Sequence, residues 1–209
     1  MIVKICGINN KETLHCCEKN NVDFYGMIFY KKSPRNISLQ KAKLLQKLSE
    51  NLKIQGVGVF VDEDLNNIKR YIEELELKLV QLHGNESIEY IEEIKKLDIN
   101  VIKKISIKNK DDLKLIKKFP NADYYLFDYK PELNDLPGGN SKSFDWEIIN
   151  NLKIDKPWFL SGGINLRNIE TVKDKIKPIG IDLSSGVEKE LGIKDNEIIN
   201  NFMRNLNYA

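Results

Sequence analysis

Histidine and cysteine are scarce in this chain, with 2 and 3 residues among 209. Cys6, Cys16 and Cys17 are odd in number and crowded towards one end, which is no disulfide framework. With His15 and His83 as the only imidazoles, and the wrong Cys spacing, no metal site is expected. Apolar runs as long as the ~18 residues of a membrane span are lacking, so no membrane partner is expected. The opening "MIVKICGINN" lacks the apolar stretch of a signal peptide, which favours a cytoplasmic location. An excess of one charge is lacking too: 33 Lys and Arg stand against 31 Asp and Glu, a formal net charge of +2. The lysines are spread between acids rather than clustered, which argues against nucleic acid as a partner.

A core can nevertheless form, since hydrophobic residues make up 41% of the chain and charged ones only 31%. Eight short apolar runs read as strands: Ile2–Cys6, Phe24–Phe29, Gly56–Val61, Leu79–Leu82, Asn100–Ile105, Tyr124–Phe127, Trp158–Leu160 and Ile179–Leu183. Each is followed by a stretch of helical period: Lys11–Lys19, Leu39–Glu50, Asp64–Leu75, Ser87–Leu97, Lys110–Phe119, Phe144–Leu152, Leu166–Lys175 and Lys194–Leu206. Strict alternation of strand and helix argues for a parallel sheet. Eight units without a break in composition argue for a single (β/α)₈ TIM-barrel domain over residues 1–209, with an open doubly wound sheet as the alternative. "GVGVF" contains Gly-x-Gly, but it belongs to a strand and lacks the third glycine of a dinucleotide fingerprint.

Two patterns in the last quarter point to a phosphate. "FLSGGIN" (Phe159–Asn165) and "GIDLSSGVE" (Gly180–Glu188) each pass from a buried strand into Ser and Gly and then towards helical sequence. Glycine lets backbone amides approach a ligand closely, and a helix N-terminus favours an anion. Two such turns in tandem match the phosphate grip of the last two βα loops of a barrel. Chemistry in a barrel lies at the C-terminal strand ends, where this chain has Cys6, Lys31–Arg35, Asp62, His83, Ser106, Asp128, Ser161 and Asp182. Two connections are long, Tyr30–Ser38 and Tyr129–Lys142, and long loops on that face usually carry lids and specificity.

Taken together, "VKICGI", "GMIFYKKSPRNIS", "VGVFVDE", "LVQLHGNE", "LFDYK", "GGNSKSFDW", "LSGGIN", "DLSSGVE" and "GIKD" resemble, in order and spacing, the phosphoribosylanthranilate isomerase family of tryptophan biosynthesis. The resemblance covers nearly the whole chain. It implies an Amadori rearrangement of N-(5-phosphoribosyl)anthranilate to the open-chain 1-(2-carboxyphenylamino)-1-deoxyribulose 5-phosphate, without metal or cofactor. It implies a small phosphosugar substrate and leaves monomer and homodimer open, as it does a second aminoaldose isomerase activity.

The resemblance also implies roles. Cys6 would be the general base, although a free cysteine is most often a small buried hydrophobe; a positive field near the phosphate would lower its pKa. Asp128 would be the general acid that opens the ribose ring, where the plain alternative is a loop-capping Asp. Arg35 would grip the anthranilate carboxylate with its fork. Ser161, Gly162, Gly163, Ser184, Ser185 and Gly186 would hold phosphate, mostly through backbone amides. Asp182 and His83 stand between a secondary site role and a structural one. Cys16 and Cys17 lie within the first helix and read as structural. The family's sixth loop has a glycine where this chain has Ser141, and a positive φ there would strain a serine. Other phosphosugar barrels remain as rivals: a metal-dependent epimerase, for which the histidines are too few, and an indole-glycerol-phosphate synthase, for which the expected Lys and Glu are missing. A catalytically silent phosphate-binding barrel is a third, against which the presence of both Cys6 and Asp128 counts.

Overall fold

Successive side chains of a strand point to opposite faces, so eight strands closed on themselves sort their residues into a lumen set and a helix-facing set. The computed structural model, described for residues 1–132, 135–150, 152 and 154–207, has this closure. The strands are β1 (Ile2–Cys6), β2 (Phe24–Ile28), β3 (Gln55–Phe60), β4 (Leu79–Leu82), β5 (Asn100–Ile107), β6 (Tyr124–Tyr129), β7 (Trp158–Leu160) and β8 (Gly180–Leu183). All pair in parallel in sequence order, and β1 meets β8 with Lys4 opposite Asp182. The doubly wound alternative is thereby excluded. β5 and β6 run past their expected ends because they stay paired through Ser106–Asp128 and Ile107–Tyr129.

In the lumen, Val57, Leu79, Ile102, Leu126 and Phe159 form a separate apolar cluster, with Ile2, Phe24 and Tyr124 against it. The alternate residues pack against the helices in the main core. Two residues further along the strands the inward positions become polar, with Lys4, Gln81, Lys104, Asp128 and Asp182 all buried. The apolar plug thus closes one half of the lumen and forms the floor of a polar site in the other.

The helices α1 (Lys11–Lys19), α2 (Leu39–Ser49), α3 (Leu65–Glu74) and α4 (Ile88–Lys95) follow the expected pattern, with Asn10, Ser38, Asp64 and Ser87 as side-chain N-caps. The later connections differ. Lys110–Lys118 is a 3-10 helix, and Leu113, Leu115, Ile116 and Phe119 pack it and its C-terminal end against the core. Within the expected helix Phe144–Leu152, only Trp146–Ile148 forms a 3-10 turn, and Asn151 lies outside the described residues. α5 (Ile169–Thr171) is short and continues as a π turn, Val172–Ile176, that ends at Lys177 with φ 51° before Pro178. A hairpin of β9 (Glu188–Glu190) and β10 (Ile193–Lys194) precedes α6 (Asn196–Asn207). The last helix therefore starts later than expected: Lys194 is committed to the hairpin, and the Asp195 carboxylate caps the amides of Glu197 and Ile198. Among the described residues no helix is long and apolar enough to cross a membrane.

Candidate active site

Lys4 and Cys6 are successive inward residues of β1, and Asp182 is the inward residue of β8 beside them. The Lys4 ammonium donates to Asp182 Oδ1 at 3.0 Å, with both side chains buried. Burial alone would strip the Lys4 proton, but Asp182 and Cys6 outweigh it and hold its pKa above the ordinary value. The Ser184 hydroxyl donates to the Cys6 carbonyl at 3.2 Å, tying β8 to the end of β1. The positive field expected around Cys6 is present, from Lys4 and Lys194, yet burial outweighs it and pushes the thiol up rather than down. A strand-end position inside a barrel carries that desolvation with it.

Across the lumen, His83 and Asp128 face each other, with His83 Nε2 3.4 Å from Asp128 Oδ2. His83 Nε2 also lies 3.2 Å from the carbonyl of Pro137, to which Lys104 donates at 3.0 Å. Burial, with Lys104 nearby, lowers the His83 pKa, so the ring is neutral at pH 7. Asp128 Oδ1 accepts from the Tyr129 amide at 2.8 Å, which fixes the carboxyl rotamer.

Arg35, from the loop after β2, is buried rather than exposed. Its Nε and Nη2 donate to the two carboxylate oxygens of Glu188 at 2.7 and 2.8 Å, and Nη2 also reaches the Gly139 carbonyl at 3.2 Å. Lys194 pairs with the same carboxylate. Burial would raise the Glu188 pKa, but Arg35 and Lys194 bring it down to about 2. The fork is therefore already engaged through Nε and Nη2, and Nη1 has no hydrogen-bond partner among the described residues.

Two adjoining cavities result. One runs from Cys6, Arg35 and His83 past the apolar side chains of Ile28, Val59 and Leu136. The other is lined by Gly162, Gly163, Ser185 and Gly186. Asp128, Ser161, Asp182 and Ser184 line both. The two glycine turns are in contact: a Cβ on Gly186 would lie 2.0 Å from the Ile164 carbonyl oxygen. Gly162 and Gly163 have φ of 88° and 71°, and neither amide donates to a backbone acceptor among the described residues. Asn165 and Asn168 both donate to the Gly163 carbonyl, at 2.8 and 2.9 Å, so the turn is held from behind. This asparagine turn delays α5 to Ile169, so the cradle relies on loop amides and the 3-10 turn Ser185–Val187 rather than on a long helix. The sixth loop, whose Leu133 and Asn134 lie outside the described residues, roofs both cavities; Ser141 there does take a positive φ, 57°.

Every residue to which the resemblance gives a role thus lines one of these two cavities, whereas the strand-end residues Asp62 and Ser106 line a separate one. Sequence reasoning missed Lys4, Gln81, Lys104, Glu188 and Lys194. The first three carried a legible signal, a polar residue at an inward position of an otherwise apolar strand. Glu188 and Lys194 lay within noted motifs, but nothing local ties them to Arg35.

A family model described as N-(5'phosphoribosyl)anthranilate (PRA) isomerase matches residues 3–205. An N-(5'-phosphoribosyl)anthranilate isomerase of Rhizobium etli is 39% identical over 204 residues, 96% of this chain and 91% of that protein. The crystal structure of phosphoribosyl anthranilate isomerase from Thermotoga maritima superposes with a TM-score of 0.86 at 35% identity, covering 98% of each chain. A crystal structure of phosphoribosyl anthranilate isomerase in complex with reduced 1-(o-carboxyphenylamino)-1-deoxyribulose 5-phosphate has a TM-score of 0.80 at 33% identity, again over 98% of each chain. With the match running through nearly every strand and loop that builds the site, this chain belongs to the N-(5'-phosphoribosyl)anthranilate isomerase family.

Proposed function

We propose that this barrel catalyses the Amadori rearrangement of N-(5-phosphoribosyl)anthranilate in tryptophan biosynthesis, in the cytoplasm and as a single domain. The observation that carries this reading is that Cys6 and Asp128 line one largely apolar cavity, which adjoins a glycine-lined one at Asp128. The phosphate lies against Gly162, Gly163 and Ser184–Gly186, with Ser161 at the junction, and the ribose spans that junction. The anthranilate ring lies among Ile28, Val59 and Leu136, with its carboxylate on Arg35 Nη1. Asp128 gives a proton to the ring oxygen as the nitrogen lone pair forms the C1=N bond. The Cys6 thiolate then takes the C2 proton, giving an enol-amine that tautomerises to the ketone. Asp182, held by Lys4, faces a sugar hydroxyl, and neutral His83 holds Asp128 in place. Proton transfers suffice, so the reaction asks for no metal or cofactor. Loss of the substrate's fluorescence on incubation with the protein, in the presence of a chelator, is the direct test; no turnover with intact folding would refute the reading.

The thiol's environment sets the pH dependence. A base works deprotonated, and burial raises the Cys6 pKa, so kcat should still be rising above the ordinary thiol value of about 8.5. The Lys194 ammonium pulls that pKa down, so Lys194→Met should move the limb to still higher pH. A limb that stayed in place or moved to lower pH would contradict this electrostatic account.

A further inference from the structure

Gln81 is an inward residue of β4, two beyond Leu79, and only 1% exposed. Its orientation follows from its neighbours. His83 Nε2 lies 3.2 Å from the Pro137 carbonyl, which can only accept, so that nitrogen carries the proton. Nδ1 of the neutral ring is then an acceptor, and Gln81 Nε2 donates to it at 2.9 Å. This leaves Gln81 Oε1 turned the other way, buried and with no hydrogen-bond partner among the described residues. Buried amide oxygens are nearly always paired, because leaving one dry forfeits its hydration.

The unpaired oxygen belongs to a residue that lines the aryl cavity and not the glycine-lined one. Cys6, Arg35 and His83 share that distribution, whereas Asp128 and Asp182 stand at the junction. A ligand donor that meets Gln81 therefore lies on the aryl side of the ribose. In an N-aryl aminosugar the hydrogen-bond donor there is the N–H between ring and sugar. We propose that Gln81 Oε1 accepts this N–H, making Gln81 a substrate-binding residue that selects an arylamine linkage; the assignment rests on the isomerase reading above. The nitrogen keeps its proton from amine through iminium and enol-amine to product, so the contact persists through the reaction. The iminium is its strongest donor, because a charged partner roughly doubles a hydrogen bond.

The test is a cycle between protein and ligand. The probes are reduced 1-(o-carboxyphenylamino)-1-deoxyribulose 5-phosphate, the compound seen in a relative's structure, and its ether analogue with oxygen in place of N–H. Wild type should bind the N–H compound about 10-fold more tightly than the ether, the value of one satisfied hydrogen bond. In Gln81→Met that preference should vanish, because no acceptor remains. In Gln81→Glu, which keeps an acceptor oxygen but loses the N–H given to His83, the preference should survive. A purely structural Gln81 would weaken both ligands alike and leave the ratio unchanged in Gln81→Met, which would overturn the proposal. Loss of the preference in Gln81→Glu would overturn it equally, so either variant decides if the other fails to fold. Failure of wild type to bind either compound would instead overturn the isomerase reading, and this inference with it.

Discussion

Cys6→Ala and Asp128→Asn should each lower kcat by at least ~100-fold, the lower end of what a positioned general acid or base contributes. Both side chains line one cavity, and neither forms part of the glycine turns or of the Arg35 cluster. Substrate should therefore still bind. The variants should differ in kind. Cys6→Ala removes the proton acceptor and should enlarge the isotope effect on substrate deuterated at C2. Asp128→Asn keeps an oxygen for the Tyr129 amide but has no proton to give, so it should block ring opening. Cys16 and Cys17 provide the control. Both are buried in α1, where the Cys16 thiol contacts Asn200 of α6 at 3.4 Å, and Cys17 has its pKa pushed up to about 12 by burial. Their replacement by Ala should leave kcat within a few-fold. Near-normal turnover by Cys6→Ala would remove Cys6 as the base and turn attention to Asp182 and His83.

Glu188→Gln should destabilise the protein at pH 7, and the difference should shrink on acidification. The carboxylate takes both donors of Arg35 and pairs with Lys194, and this brings its pKa from 4.5 to about 2. Each tenfold loss of proton affinity on folding corresponds to about 1.4 kcal/mol; allowing for solvent screening at the partly open mouth leaves roughly 2 kcal/mol. The folded-state pKa is depressed, so this contribution is fully present above the unfolded value near 4.5 and is lost as pH falls through about 2. Urea titrations of wild type and Glu188→Gln at pH 7, 4 and 2.5 should show the gap narrowing. A gap independent of pH would mean that the carboxylate's charge is not what matters. The same substitution releases Arg35, whose guanidinium is aimed by Glu188, so KM should also change even though Glu188 itself accepts no ligand.

The order of strands and intervening segments was legible because apolar runs of three to six residues alternate with longer amphipathic ones, and eight such units have few ways to bury both sheet faces. Strand ends were legible with them to within one or two residues, and so were the positions of Cys6, Asp128 and the two glycine turns. Helix type was not: Lys110–Lys118 and Val172–Ile176 differ from α-helix through packing on the barrel and a left-handed stop at Lys177, which composition does not display. The electrostatics were still less accessible. Lys4 and Asp182 are 178 residues apart, and Arg35 and Glu188 are separated by 153. Only closure of β8 on β1 brings the first pair together, and Glu188, the first residue of the β9–β10 hairpin, meets Arg35 from the loop after β2 only in the folded barrel. Sequence by itself determined which residues stand at the strand ends, because that follows from local period and hydrophobicity. Tertiary structure decided which charges they meet and how dry they are, because Coulomb interaction and desolvation depend on distances through space that chain order does not contain.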